Sequence, residues 1–304
     1  MANYVGKTIS QLTITEELNR GGAGVVVRAV VKDGHGSVPG NLALKISLPD
    51  KPGDGFNKQR LVSEVEVLRK LNEAKVEGIV KIYPMTWERK PTYYANAYEL
   101  SDKPSNAPWY FAMEFLEGPT LTKHLVKVKR MTLSEVSIIA SKVAYTLHRI
   151  HKVGFAHNDL KPENIMFRKP LPTGNSMPVL IDFGTAQKLK LVDFDQITYQ
   201  YSSLEKLEVL GGNKPPETNN PQKSDVWSLG VMFYQMLTGK VPFPGNSPKT
   251  VSDSIRNKRP DSIRAVVKDI PESLDKLILH DCLAIQPAHR PPADEIADYF
   301  KNLI

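Results

Sequence analysis

The run His157-Asn158-Asp159-Leu160-Lys161-Pro162-Glu163-Asn164 sets a carboxylate, an ammonium and a carboxamide within six residues. Phosphoryl transfer needs such a set: a group to orient a hydroxyl, a cation for the transferring phosphate oxygens, and an oxygen ligand for a hard metal. Eighteen residues after Asn164, Ile181-Asp182-Phe183-Gly184 brings a second acidic group to the end of a strand-like run. Mg²⁺ prefers a few protein oxygens plus substrate phosphates, so Asn164 and Asp182 would suffice as its ligands. Upstream, Leu18-Asn19-Arg20-Gly21-Gly22-Ala23-Gly24-Val25-Val26 joins two strand-like segments. Glycines there let backbone N–H groups approach phosphates closely, although a glycine hairpin alone is as readily structural. Lys45 interrupts an apolar strand, Leu42 to Ile46, where a lone ammonium is costly to desolvate. It requires a partner, and Glu64 on the following helix is the candidate.

Elements must hold these groups in place. Before about residue 116 the chain reads as strands, with Ile9–Leu18, Val25–Val27 and Leu42–Ile46 β-rich and Asp33–Gly40 a turn or loop. One helix interrupts them, with Leu61, Val65, Leu68 and Leu71 at helical spacing. Pro84–Pro108 reads as an elaborated hairpin or loop. Beyond Leu116 the pattern turns helical. Thr132-Leu133-Ser134-Glu135 is a capping box, and Val136, Ile139, Val143, Leu147 and Ile150 mark one face of a long helix. A second helix is expected over Ser224–Leu237, closed by Gly239 as C-cap with Pro242 beyond it. Later helices are expected near Ser273–Leu283 and Ala293–Leu303.

The chain has 304 residues, 41% hydrophobic and 24% charged, which excludes disorder or collagen-like structure for its bulk. At this size roughly three quarters of the unfolded surface should be buried. Lys+Arg of 40 against Asp+Glu of 33 leaves a net charge of +7, which suits anionic phosphates but proves no partner. The single cysteine, Cys282, forms no internal disulfide, reads as a small core residue, and points to a reducing, cytoplasmic location. No apolar run long enough to span a membrane occurs. His148 and His151 stand at i, i+3 with no cysteine or carboxylate cluster beside them, so a structural role is expected, as for His157. The basic stretches Lys123–Arg130 and Arg256–Arg259 read as solvated faces rather than nucleic-acid contacts.

Taken in order, these motifs resemble the eukaryotic-type (Hanks-type) Ser/Thr protein kinase catalytic domain over about residues 12–300. The resemblance implies an α+β, bilobal fold. Residues 1–116 would form a small antiparallel β-sheet lobe with one main helix, and 117–304 a larger, mostly helical lobe. It implies ATP and Mg²⁺ as cofactors and a protein substrate, with autophosphorylation open. By the family's spacing Glu64, rather than Glu66, pairs with Lys45. Asp159 matches the catalytic base, Lys161 the phosphate-neutralising lysine, and Asn164 and Asp182 the metal ligands. Met113-Glu114-Phe115-Leu116 resembles the gatekeeper and hinge that bind adenine through backbone groups. The nucleotide contacts implied are Leu18, Gly21, Gly24, Val26, Ala43, Lys45, Met113, Glu114, Leu116, Met166 and Asp182. Asp225 would brace the catalytic loop, although it could also be a helix N-cap. Glu205 and Arg290 would form a buried ion pair. Lys161-Pro162-Glu163-Asn164 and Thr198 match the Ser/Thr form, and Gly21-Gly22-Ala23-Gly24 resembles bacterial members.

The sequence departs from the pattern at four points. Asn19 stands for the first glycine of the phosphate loop, so a modest effect on nucleotide affinity is expected. Asn158 replaces the arginine that commonly grips a phosphorylated activation loop, so activity that survives phosphatase treatment is expected. Ser203 and Leu204 replace the Ala-Pro of the usual Ala-Pro-Glu triplet, which bears on peptide docking. Two alternatives stand beside an active kinase. A nucleotide-binding pseudokinase scaffold rests on the Asn19 and Leu204 departures. A small-molecule kinase of the aminoglycoside type shares His-x-Asp and the following Asn but usually lacks the Lys-Pro-Glu stretch.

Overall fold

The computed structural model describes residues 3–21, 24–31, 39–49, 55–85, 92–101, 107–171, 177–186, 199–212 and 220–304. Thr198, Gly22, Ala23 and most of the Asp33–Gly40 turn lie outside these residues. The chain divides into two units, one formed by Met1–Lys75 with Val80–Leu116 and the other by Val76–Ile79 with Glu117–Ile304.

The first unit is an antiparallel sheet with one long helix. Its strands are β1 (Thr8–Ile9), β2 (Leu12–Gly21), β3 (Gly24–Val31), β4 (Asn41–Ser47), β5 (Ile82–Tyr83), β6 (Ala95–Asn96) and β7 (Trp109–Glu114). They run in the order β1-β2-β3-β4-β7-β5, and β6 pairs with β7 beside β5. Period-two alternation sorts the side chains. Ile14, Val25, Val27, Ala29, Leu42, Leu44, Ile46, Tyr110 and Ala112 are buried in one core cluster on one face. The intervening positions face the other way. Val26 pairs across the strands with Lys45, Lys45 with Phe111, and Ala43 with Met113, so all of these share the opposite face. Two register shifts in β2, at Ile14/Glu16 and Glu17/Asn19, bend the strand beside Leu18. At the β2–β3 turn Gly24 has φ 143°, and a Cβ there would stand 2.1 Å from the Ile46 carbonyl oxygen. Only glycine fits that close approach.

Helix α1 (Phe56–Glu73) buries Leu61, Val65, Leu68 and Leu71, the stripe expected from spacing, and starts earlier than the periodicity indicated. Glu64 lies within that stripe and is buried with it.

The second unit is mostly helical. It holds α2 (Leu121–Val128), α3 (Leu133–Lys152), the short pair β8 (Ile165–Phe167) and β9 (Pro178–Leu180), α4 (Leu204–Leu210), α5 (Pro221–Thr238), α6 (Pro248–Asn257), α7 (Ile263–Val266), α8 (Glu272–Lys276) and α9 (Ala293–Lys301). The Thr132/Glu135 capping box is present at the start of α3, satisfying two N-terminal amides reciprocally. Helix α5 begins before Ser224: Asn220 caps it through the Lys223 amide, Pro221 occupies its first turn, and Gly239 ends it in the left-handed conformation (φ 78°). Asp225 therefore lies inside the helix and is not its N-cap. Helix α8 continues into a π-helical segment, Leu277–Cys282, where spacing alone suggests one regular helix. Gly230 of α5 packs there; a Cβ on it would come within 2.8 Å of the Cys282 Cβ. Cys282 is buried, and burial pushes its thiol well above the ordinary range, so it is chemically quiet. No helix among the described residues is long and apolar enough to cross a membrane. The strand-rich first unit and helical second unit agree with the α+β expectation.

Candidate active site

In the first unit, β4 and α1 supply a charged pair on the sheet face that carries Val26, Ala43 and Met113. Lys45 Nζ donates to both carboxylate oxygens of Glu64, at 2.8 and 2.7 Å. The Glu64 side chain is 4% exposed and the Lys45 side chain 12%. Glu66, two residues on, turns to solvent because a helix rotates successive positions by about 100°. The charge-assisted, two-pronged bond offsets the desolvation of both ions. At the end of β7, the Glu114 amide donates to the Lys81 carbonyl (2.9 Å), and the Glu114 carboxylate accepts from the Lys81 amide (3.0 Å). Leu116 is buried, and its own N–H takes no partner among the described residues. Leu18 and Gly21 lie on β2, Gly21 exposed and paired across from Gly24.

In the second unit the loop after α3 is tied down from several sides. The Asp225 carboxylate of α5 accepts from the amides of His157 and Asn158, both at 2.8 Å, and from His151 at 2.9 Å. Those two amides fix a turn in which Asn158 has φ 64°, a left-handed conformation that asparagine tolerates better than most residues. The Asn158 side-chain amide donates to the Thr185 carbonyl (3.2 Å), and the Thr185 hydroxyl donates back to the His157 carbonyl (3.2 Å). His157 is fully buried, bridges to the Ile181 carbonyl at 3.1 Å and lies against Phe183. It is a structural histidine, as expected. His148 contacts Asp294 at 3.4 Å, and among the described residues neither it nor His151 joins a metal cluster.

This scaffold presents Asp159. Its Oδ2 accepts from Lys161 Nζ at 2.8 Å and from Asn164 Nδ2 at 3.0 Å, while Asn164 Nδ2 also donates to the Asp159 carbonyl at 2.8 Å. Among the described residues Asp159 Oδ1 takes no hydrogen bond. One oxygen is thus anchored and the other is available as an acceptor. The Ile181 amide bonds the Asn164 carbonyl at 2.9 Å, stitching the Asp182 segment to the same loop. Asp182 also has a left-handed backbone (φ 60°), and its Oδ1 accepts from the Gly184 amide at 3.4 Å. Met166, half-buried on β8, pairs with Val179.

The donor set fits magnesium. Asn164 spends its Nδ2 on Asp159, which leaves its side-chain carbonyl oxygen able to ligate, and Asp182 carries a carboxylate. Both are hard oxygens, the ligand type that magnesium prefers over thiolate or imidazole.

The Glu205–Arg290 pair closes the scaffold from below. Arg290 is 1% exposed and reaches Glu205 at 2.5 and 2.9 Å, with further bonds to the carbonyls of Ala284, Lys223 and Ile285. Burial alone would raise the Glu205 carboxyl, but the Arg290 guanidinium outweighs it and holds the group below its ordinary 4.5. The sign follows: the stabilisation is fully present above pH 4.5 and is lost as pH falls through the lower folded value. Arg290→Met leaves Glu205 buried without its cation and is expected to cost about 3–5 kcal/mol of stability, read from urea unfolding at pH 7.

Two groups in this region go beyond what the sequence suggests. The spacing of His151 points only to a structural role, yet it shares Asp225 with the loop amides. Lys206, buried on α4, donates to the Asn158 carbonyl. Its helix, Leu204–Leu210, carries three charged residues in seven, and no local signal marks this one as buried. The basic stretch on and after α2 is exposed at Lys123, Lys127, Lys129 and Arg130, and Arg256 binds Glu208 at 2.6 Å.

Comparison with known proteins identifies the family. The family model described as "Protein kinase domain" matches residues 12–300. A probable serine/threonine-protein kinase of Clostridium perfringens is 35% identical over 171 residues, 56% of this chain and 24% of that protein. A second, from Clostridium acetobutylicum, is 29% identical over 64% of this chain and 28% of its own length. An Aurora/IPL1-related protein kinase of Caenorhabditis elegans is 24% identical over 96% of this chain and 83% of that protein. The chain thus matches about a quarter of the length of the two clostridial relatives. With the family model spanning nearly all of its residues, the chain belongs to the protein kinase domain family.

Proposed function

We propose that this chain is an ATP-dependent Ser/Thr protein kinase that transfers the γ-phosphate of Mg-ATP to a protein hydroxyl. The observation that carries the reading is Asp159, with Oδ2 anchored by Lys161 and Asn164 and Oδ1 available. In the reaction, the acceptor hydroxyl donates its hydrogen bond to Asp159, and its oxygen bonds the γ-phosphorus as the bond from that phosphorus to the β–γ bridging oxygen breaks. The hydroxyl proton passes to the Asp159 carboxylate, and ADP leaves with the bridging oxygen. Lys161 would neutralise charge on the transferring phosphoryl oxygens, and Lys45, oriented by Glu64, would hold the other phosphates. Asn164 and Asp182 would hold Mg²⁺, which when bound screens the phosphate charge. The Leu116 N–H, the Glu114 backbone and the apolar side chains of Leu18, Val26, Ala43 and Met113 would take the base, and Gly21 and Gly24 would take the phosphates. In this reading residues 1–116 carry the groups that anchor nucleotide and residues 117–304 those that perform transfer.

The Lys161-Pro162-Glu163-Asn164 form supports a Ser or Thr acceptor, and the chain itself is a candidate substrate. A single, buried thiol supports a cytoplasmic setting. The test is mass-spectrometric mapping of the chain and a generic protein after incubation with Mg-ATP. Phosphoserine and phosphothreonine are expected. Nucleotide-induced thermal stabilisation with no phosphosite would favour a pseudokinase scaffold, and phosphate found only on an aminated sugar a small-molecule kinase.

A further inference from the structure

We infer that Lys206 is a positioning residue for the proposed transfer, holding the peptide that carries Asp159 by its carbonyl. Lys206 lies on α4 and is 7% exposed. Its Nζ donates to the carbonyl oxygen of Asn158, the residue directly before the base. The same residue's N–H, with that of His157, is held by Asp225. The Asn158 unit is therefore gripped by an anion on its amide side and by a cation on its carbonyl side. Between those grips the backbone is left-handed (φ 64°), a conformation that costs free energy and persists only where its surroundings over-determine it. The peptide that follows fixes where the Asp159 side chain points.

A buried ammonium is an expensive way to fill space on a helix. Burial, the largest effect, holds the Lys206 pKa below its ordinary 10.5, while the carboxylates of Asp159, Asp225 and Glu205 favour its charge and Lys161 opposes it. The cation is thus placed where two aspartates of the same loop scaffold support it. It also stands on the α4 segment that Glu205 locks to Arg290, so the Asp159 peptide is tied to the most buried ion pair described in the second unit. Asn158 itself is uncharged. Here the cation comes from α4, one residue beyond the Glu205 anchor.

This role rests on the kinase reading, and kinetics of the whole chain with Mg-ATP and a generic protein acceptor separate the two. Lys206→Met is expected to lower kcat about 10- to 100-fold with the ATP KM within about threefold, because a small misplacement of the base costs that much. Lys206→Arg, which keeps a donor, should recover most of the loss. In an Asp159→Asn background the same Lys206→Met change should alter the residual rate less than about threefold, since residues acting as one unit are non-additive. A merely structural lysine would lower both backgrounds equally. Equal losses, an unchanged kcat, an effect confined to KM, or variants that all fail to fold would overturn the role. An active wild type with an indifferent Lys206→Met defeats this inference alone, whereas an inactive wild type defeats the kinase reading and this role with it.

Discussion

Lys45→Met is expected to lower kcat/KM for ATP-dependent transfer by about two to three orders of magnitude, the scale for removing one preorganised electrostatic donor. Methionine keeps the length and apolar stem of lysine but cannot bond a phosphate. The change also removes the cation that faces the Glu64 carboxylate, which is only 4% exposed. Breaking a buried pair from one side costs about 3–5 kcal/mol, so the melting temperature should fall as well. The two effects are separable. Adding Glu64→Gln removes the stranded charge and should restore most of the stability while leaving transfer defective. Kinetics and thermal unfolding of the single and double variants check this. A double variant that regained activity with stability would show that Lys45 serves only the fold.

Asp159→Asn is expected to reduce the rate of transfer by about 10²- to 10⁴-fold, the range for a positioned general base. The amide is nearly isosteric. It can still accept from Lys161 and Asn164 through its oxygen, so melting temperature should hardly move. It cannot take the acceptor proton. Single-turnover transfer with nucleotide pre-bound isolates this step from binding. A rate within a fewfold of wild type would remove Asp159 from the chemistry.

Much of the scaffold was legible because its signals are local and periodic. The stripe Leu61, Val65, Leu68 and Leu71 marks α1 and offers Glu64 as partner for a strand lysine, while the choice of Glu64 over Glu66 rests on the family's spacing. The Thr132/Glu135 box and Gly239 fix helix ends through backbone hydrogen-bond needs that sequence states directly. Asp225 is harder. From local signals an aspartate near a helix start reads as a cap; the family resemblance implies the brace, and the fold shows that Asn220 caps the helix while Asp225 reaches His157 and Asn158, 68 and 67 residues earlier in the chain. Lys206 is invisible for the same reason: a lysine on a short helix is usually solvated, and nothing local says that its ammonium is buried against a distant carbonyl. The π-helical turn at Leu277–Cys282 also escapes, because its residues keep an apolar pattern that a regular helix would share.

Transfer of label from ATP bearing ³²P at the γ position, compared with ATP labelled at the α position, addresses phosphoryl transfer by the wild-type chain most directly. The account predicts acid-stable label on serine and threonine of an added protein from γ-labelled nucleotide, dependent on magnesium, and none from α-labelled nucleotide. Protein that gains thermal stability from Mg-ATP yet leaves every acceptor unlabelled would contradict it.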